Sequence, residues 1–331
     1  MIDTFLATLN PMLTLFICIA VGFTVKKAKL LPEDSGTVMA KLENWVFCPA
    51  LSFATMARNC TVDSLGTHAT NVVLSAFGVA IAIGMAIPLA RLFIKKKCPE
   101  RGVYMYALAF ANSGYIGDPV VLALFGDIGL FYYKLFCLPV SIMIYTWGIS
   151  VMVPSSGKSK FASLKKILNP PTVALFLGIA VGLSGLGTHI PAPVNSALDS
   201  LKACMGPVAM LLAGFTIASY SFFGMLKKKK VYIATFLRLF ILPSIIIGSL
   251  FGIKELINLI FDMNINNNVL FLSFFATAAP LGLNTVVFPK AYGGDPETGA
   301  SMAMISHTLC VISIPIMYAL MTLLFGTPSF I

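Results

Sequence analysis

Ten apolar stretches of about 20 residues, joined by short loops, constrain this chain most, because each could cross a bilayer as a helix. Asp, Glu, Lys and Arg make up only 11% of the 331 residues, where soluble globular domains carry about 25%. This composition excludes an ordinary soluble enzyme and a disordered chain. It predicts an all-α membrane protein with ten transmembrane helices. The predicted segments are 4–25, 38–57, 69–94, 102–125, 130–153, 167–187, 193–218, 231–253, 268–290 and 298–325.

The Lys and Arg residues are distributed unevenly between the loops. The chain has 23 of them and a formal net charge of +10, and 18 lie in or beside loops that follow odd-numbered segments. Because cytoplasmic loops are enriched in Lys and Arg, this bias predicts that the odd loops are cytoplasmic and that both termini are extracytoplasmic. We therefore expect a multi-pass protein of the cell membrane (plasma or inner membrane) and no nucleic-acid partner.

The second half of the chain repeats the first. Leu9-Asn10-Pro11 in segment one matches Leu168-Asn169-Pro170 in segment six, and Ile19 to Gly22 matches Ile179 to Gly182. A Phe-Ala pair followed by glycine also recurs at the same spacing in segments four and nine. A repeat of five helices must insert upside down the second time, which is a transporter architecture. The predicted units are 1–154, a short cytoplasmic linker at 155–166, and 167–331.

Segments four and nine both carry Gly, Pro and Asn near the middle of an apolar span, at 111–119 and 276–285. Proline removes an amide donor, and glycine removes the restraint of a side chain. Open backbone at this depth is tolerated only where protein or a water-filled cavity satisfies it, so two such helices predict a substrate site. Exposed half-helix N-termini suit a carboxylate. The candidate substrate-binding residues are Asn112, Ser113, Gly117, Pro119, Pro280, Gly282, Asn284 and Thr285.

Four ionisable residues in the apolar spans are candidates for coupling or charge relay, because charge is costly inside a membrane. Asp118 either takes part in coupling or caps open backbone at a helix end. Glu43 either lies on the substrate path or is neutralised by Lys41. Arg238 either balances a substrate carboxylate or pairs with an internal acid. His307 either titrates during transport or is a hydrogen-bonded core residue.

Two motifs resemble those of the auxin efflux carrier family. Asn112 to Val121, closing on Phe125-Gly126, is similar to the fourth-helix motif of that family. Ala276 to Pro280 with Phe288 to Gly293 is similar to its ninth-helix motif, and Asp295-Pro296-Glu297 fits the start of its tenth helix. The resemblance covers essentially the whole chain, which is identified as a compact prokaryotic member of the bile acid/auxin-type transporter superfamily.

The resemblance implies ten helices in two inverted five-helix repeats. Helices one, two, six and seven would form a scaffold, and helices three to five and eight to ten a moving transport unit, with helices four and nine broken where they cross. It implies an elevator mechanism, a homodimer, and small carboxylates such as malate, malonate or auxin-like acids as substrates. Asp118 departs from the apolar residue that auxin carriers have there, and the different proline spacing weakens the match of Asn284 to Asn112.

The sequence thus predicts a secondary transporter, or permease, of small organic anions that binds its substrate where helices four and nine cross. Two alternatives stay open: a sodium-coupled organic anion symporter resembling bile-acid carriers, with Asn112, Ser113 and Thr285 as sodium ligands, and a non-transporting membrane sensor. The coupling ion (H⁺ or Na⁺) is also open. No enzyme activity, catalytic residue, metal or cofactor is expected, because three scattered His and seven Cys without a CxxC pair provide no nucleophile–base pair or metal cluster.

Overall fold

The structure is a computed structural model. It describes residues 2–96, 98–152, 168–220, 224, 228–282, 284–286, 289 and 295–330, without the side chains of residues 65–68. The predicted linker 155–166 lies outside these residues. The described chain is helical between its loops, with short π and 3₁₀ turns and one isolated antiparallel β-bridge. The prediction of an all-α protein is therefore confirmed.

Several helices of the described chain have the length and composition of membrane spans. Six are long enough to cross: Ile2–Lys27, Ala69–Phe93, Ser113–Phe136, Ala192–Ala218, Lys229–Phe261 and Pro296–Phe325. Shorter apolar helices occupy Leu138–Met152, Pro170–Leu183 and Asn268–Ala278. Helices lie within all ten predicted segments, and the protein is a multi-pass membrane protein.

The α-helices are numbered in chain order. They are α1 Ile2–Lys27, α2 Ser35–Leu42, α3 Cys48–Asn59, α4 Val62–Phe93, α5 Pro99–Ala109, α6 Asp118–Phe136, α7 Leu138–Met143, α8 Ile149–Met152, α9 Pro170–Leu183, α10 Ala192–Ala218, α11 Lys229–Phe236, α12 Leu242–Phe261, α13 Asn268–Ala278 and α14 Pro296–Phe325. A 3₁₀ turn at Leu186–His189 joins α9 to α10.

Five-residue π turns connect several of these helices. They lie at Glu43–Phe47, Ser113–Gly117, Ile144–Gly148 and Leu237–Ile241. A π turn widens the helix locally, which redirects side chains and is frequent at functional sites. Three of the turns contain a residue that the sequence marks as a candidate, namely Glu43, Ser113 and Arg238.

A glycine kink marks the boundary between predicted segments four and five. Gly126 has φ 65° and ψ −163°, so the helical path breaks inside α6. These angles are open to glycine because it has no Cβ. Residues 113–125 therefore form the second half of segment four. Residues 127–136 begin segment five, which starts three residues earlier than predicted.

Two helix pairs form close backbone contacts through glycines. α1 packs along α10, and a Cβ on Gly22 would lie 2.1 Å from the carbonyl oxygen of Leu211. α9 packs along α3, and a Cβ on Gly182 would lie 2.6 Å from the carbonyl oxygen of Cys60. The two glycines occupy matching positions in the sequence repeat, so the same glycine-mediated backbone contact occurs in both halves.

Candidate functional site

The fourth predicted helix is broken at its centre. α5 ends at Ala109, and Phe110 is extended with φ −121° and ψ 134°. The helix restarts after Asn112, whose main-chain carbonyl accepts the N–H of Ile116 at 3.1 Å and of Gly117 at 3.2 Å. The break is not at a proline, although proline and glycine together were the sequence features that predicted it. Pro119 lies beyond the break, where the π turn Ser113–Gly117 continues into α6.

The ninth predicted helix is broken at the same level and crosses the fourth. α13 ends at Ala278, and Ala279 is extended. The main-chain N–H of Asn112 donates to the carbonyl of Pro280 at 2.7 Å, and Ala111 and Leu281 form an antiparallel β-bridge. The two non-helical segments thus provide hydrogen-bond partners for each other's backbone, which backbone groups at membrane depth require.

Side chains satisfy further backbone groups at the crossing. The hydroxyl of Ser306 accepts the N–H of Leu281 at 3.1 Å. The Tyr133 hydroxyl donates to the carbonyl of Ser113 at 3.0 Å, and the Thr285 hydroxyl donates to the carbonyl of Gly282 at 2.8 Å. The crossing is therefore a rigid structure with its own hydrogen bonds, and it can hold side chains in fixed positions for a ligand.

A cavity of about 210 Å³ adjoins the crossing. It lies between the start of α3, the restart of the fourth helix, α6, α7 and the first turns of α9. Pockets for drug-sized ligands measure about 300–1,000 Å³, so this volume suits a small metabolite. The polar and charged lining residues are Asn44, Ser52, Asn112, Ser113, Tyr115, Asp118, Lys134, Ser141, Tyr145, Asn169, Thr172 and Asn284.

The structure brings several of the predicted site residues together and places others behind them. Asn112, Ser113, Gly282, Asn284 and Asp118 line the cavity. The other four substrate-binding candidates, Gly117, Pro119, Pro280 and Thr285, do not line the cavity and instead support the crossing. Pro280 supplies the carbonyl that accepts the Asn112 N–H, and the Thr285 hydroxyl donates to the carbonyl of Gly282. Pro119 packs where a Cβ on Gly206 would touch its ring, and Gly117 leaves room for Tyr133.

The start of the second half-helix faces this cavity. Ser113, Gly114 and Tyr115 all line it, and they are the first residues after the break. The first N–H groups of a helix have no intrahelical acceptor and carry partial positive charge. This end of the cavity therefore favours an anionic group.

Asp118 forms an ion pair with Lys134. The carboxylate is 2% and the Lys134 side chain 13% exposed, and both line the cavity. Their charges cancel, so this pair places both a donor and an acceptor in the cavity without a net charge.

Two side-chain amides of the crossing contact side chains of α5 and α14. The Asn284 amide donates to the Tyr106 hydroxyl at 3.0 Å. The Asn112 amide lies 3.5 Å from His307 Nε2. His307 Nδ1 lies 2.7 Å from the carbonyl of Ala303, which can only accept, so Nδ1 carries a proton. Nε2 is then the atom that faces the Asn112 amide.

Glu43 and Arg238 are both fully buried and lie outside the lining of the cavity. Glu43 Oε2 lies 3.6 Å from the Cys48 thiol, while its Oε1 has no hydrogen-bond partner among the described residues. All three nitrogens of the Arg238 guanidinium also lack a partner in the described part of the chain. The sequence left open that Arg238 pairs with an internal acid, but no acid among the described residues contacts its guanidinium.

A multi-pass helical chain in which two broken helices cross beside a polar cavity has the architecture of a membrane transporter. Residues 7–318 match the family described as "Membrane transport protein". This is the auxin efflux carrier family that the motifs resemble, and the chain belongs to it.

Two archaeal proteins are similar to this chain over much of its length. One, an uncharacterized transporter of Methanocaldococcus jannaschii, is 23% identical over 320 residues, covering 92% of this chain and 96% of the relative. The other, an uncharacterized transporter of Methanothermobacter thermautotrophicus, is 24% identical over 216 residues, covering 64% of this chain and 69% of the relative. The relatives are described as transporters, and the chain is a membrane transporter rather than an enzyme.

Proposed function

We propose that this protein is a secondary transporter of small organic anions, such as malate, malonate or auxin-like acids. The observation that carries the proposal is the cavity beside the crossing of the two broken helices. It offers amide donors from Asn112 and Asn284, a half-helix N-terminus and the Lys134 ammonium. Donors of this kind bind carboxylates.

The two repeats make equivalent helix contacts except at one place, and this difference supports alternating access by an elevator movement. The contacts of α1 with α10 and of α9 with α3 are equivalent if the chain consists of two inverted five-helix repeats. α1 also packs against α14, whereas the equivalent place between α9 and α7 holds the cavity. In an inverted repeat one such gap opens to each side of the membrane in turn. The homodimer stays a prediction from the family resemblance.

The direction in which the cavity opens can be tested with single cysteines. Thr172 lines the cavity in the first turn of α9, and the distribution of Lys and Arg predicts that this turn is on the cytoplasmic side. In a background without the native cysteines, Thr172→Cys is expected to react with a membrane-impermeant maleimide in inside-out vesicles. Asn264→Cys, in the exposed loop between α12 and α13, is the control and is expected to react in right-side-out vesicles. The reverse pattern for both would contradict the predicted orientation.

Transport itself is tested by uptake of labelled malate, malonate and an indole carboxylate into proteoliposomes. A potential of 100 mV is worth about 2.3 kcal/mol per charge, or roughly 50-fold in the concentration ratio. An inside-positive potential should therefore drive uptake of an anion. Asn112→Ala is expected to lower the rate about tenfold or more, because it removes a buried donor from the cavity. Asn264→Ala, in an exposed loop, is the matched control.

The same assay distinguishes the coupled alternatives. Uptake that requires sodium would favour a sodium-coupled symporter, and uptake that follows an imposed pH gradient would favour proton coupling. If no organic anion moves under any of these gradients, the proposed substrate class is wrong. A non-transporting sensor would then become the better hypothesis.

A further inference from the structure

Arg238 is a buried charge without a counter-charge. The residue is 1% exposed, and its Nε, Nη1 and Nη2 atoms find no hydrogen-bond acceptor among the residues that the structure describes. A guanidinium keeps its proton in proteins and presents five donors. Burial of an unpaired charge is among the most unfavourable arrangements in a folded protein. The arrangement is therefore incomplete, and what it lacks is an anion.

The π turn that carries Arg238 lies directly behind the crossing. This turn, Leu237–Ile241, contacts α5 and α13, which are the first halves of the two broken helices, and it also contacts α14. The π turn between α11 and α12 thus carries a charged residue and packs against both elements that form the candidate site. Arg238 is neither on a lipid-facing surface nor in a loop. Its long cationic side chain therefore cannot extend into water, as it could from such a position.

A short chain of contacts connects Arg238 with the cavity. The π turn of Arg238 contacts α5, which carries Tyr106, and the Tyr106 hydroxyl accepts the Asn284 amide at 3.0 Å. Because that oxygen is the acceptor, the phenolic proton remains available for donation. Asn284 in turn lines the cavity. The guanidinium and the phenolic O–H are both donors of the kind that suits an anionic group.

The balance of charge around the cavity also favours Arg238 as the residue that faces an anion. Lys134 is already paired with Asp118, so these two side chains contribute no net charge. Glu43 contacts Cys48 and does not pair with Arg238. Among the described residues near the crossing, Arg238 is thus the cation that is left to balance an incoming anion.

We propose that Arg238, together with the Tyr106 hydroxyl, binds the carboxylate of the transported anion. This inference rests on the proposed function and deepens it. The carboxylate reaches the guanidinium when the Asn284–Tyr106 hydrogen bond opens, and the planar guanidinium then holds both carboxylate oxygens. The substrate charge is neutralised within the unit that would move, so the loaded unit crosses the membrane without the net charge of its cargo.

Thermal unfolding of the purified full-length protein in detergent tests this proposal independently of transport. Malonate and propionate are the carboxylate probes, malonamide is the uncharged analogue of malonate, and sulfate is the other anion. Wild type is expected to melt at a higher temperature with malonate and to be unaffected by malonamide. Arg238→Gln should lose the malonate shift, and Arg238→Lys should weaken the apparent affinity about tenfold, because lysine cannot form the bidentate contact. Arg91→Gln, at an exposed position, should bind malonate like wild type.

The melting temperature without ligand separates a binding role from a structural one. If Arg238 is unpaired until an anion binds, Arg238→Gln removes an unsatisfied buried charge and should melt several degrees higher than wild type. A variant that melts lower or does not fold shows that Arg238 is structural and overturns the proposal. A malonate shift that persists in Arg238→Gln also overturns it, as does stabilisation of wild type by sulfate but by no carboxylate.

Failure of this inference can be told apart from failure of the proposed function. An Arg238-dependent malonate shift without uptake in proteoliposomes supports the binding site while the transport proposal fails. Uptake of malonate with unchanged apparent affinity in Arg238→Gln supports transport and overturns the role of Arg238.

Discussion

Replacing Lys134 by methionine is expected to lower the free energy of unfolding by about 3 kcal/mol, because breaking a buried pair leaves an uncompensated charge. The charge left behind is Asp118, which is 2% exposed and lies in the second half of the broken fourth helix. Chemical unfolding in mixed micelles measures the change. The matched control is Lys228→Met, which breaks the exposed ion pair with Glu297 and should cost less than about 1 kcal/mol.

The double variant Lys134→Met/Asp118→Asn provides the decisive comparison. Removing both charges abolishes the pair without leaving a buried ion, so at least half of the lost stability should return. Uptake is expected to stay low in both variants, because the cavity loses its ammonium. A Lys134→Met variant as stable as wild type would show that Asp118 reaches water in the cavity without its partner.

The sequence allowed the broken helices to be predicted because the cause is local. Asn112, Ser113 and Asn284 come from two short stretches in which glycine, proline and amide side chains interrupt an apolar run. Such an interruption is visible within about ten residues, the scale of a half-helix. Pro280 lies at the break of its helix, and its carbonyl is part of the crossing. Pro119 instead lies beyond the break of the fourth helix, after the π turn Ser113–Gly117.

The partners of these residues could not be predicted, because they depend on the fold. Lys134 follows Asp118 by 16 residues, but a kink at Gly126 turns the chain back between them. Tyr106 and Asn284 are 178 residues apart, and only the crossing of the two repeats brings them together. The sequence could mark Arg238 as an expensive charge, whereas only the structure could show that no described acid faces it.

Gly117→Ala is expected to reduce transport at least tenfold and to lower the melting temperature by several degrees. A Cβ on Gly117 would lie 2.0 Å from the Tyr133 hydroxyl oxygen. That hydroxyl donates to the carbonyl of Ser113, which the broken helix leaves at the edge of the cavity. The methyl group must therefore push the hydroxyl away. The Ser113 carbonyl keeps the main-chain N–H of Asp118 as a donor but loses the tyrosine hydroxyl, and one lost buried hydrogen bond costs about 0.5–1.5 kcal/mol. Uptake and thermal unfolding measure the two effects.

Gly114→Ala separates the clash from the general effect of a methyl group in the same π turn. No atom lies within 4 Å of a Cβ at Gly114, so its melting temperature should match that of wild type. Adding Tyr133→Phe to Gly117→Ala removes the clashing oxygen and should recover part of the stability, limited by the ring carbon that remains 2.9 Å away. Transport should not recover, because the hydrogen bond from residue 133 to the Ser113 carbonyl is still missing. Full recovery of both would mean that Gly117 provides space alone, and that the Tyr133–Ser113 hydrogen bond does not hold the site in its working shape.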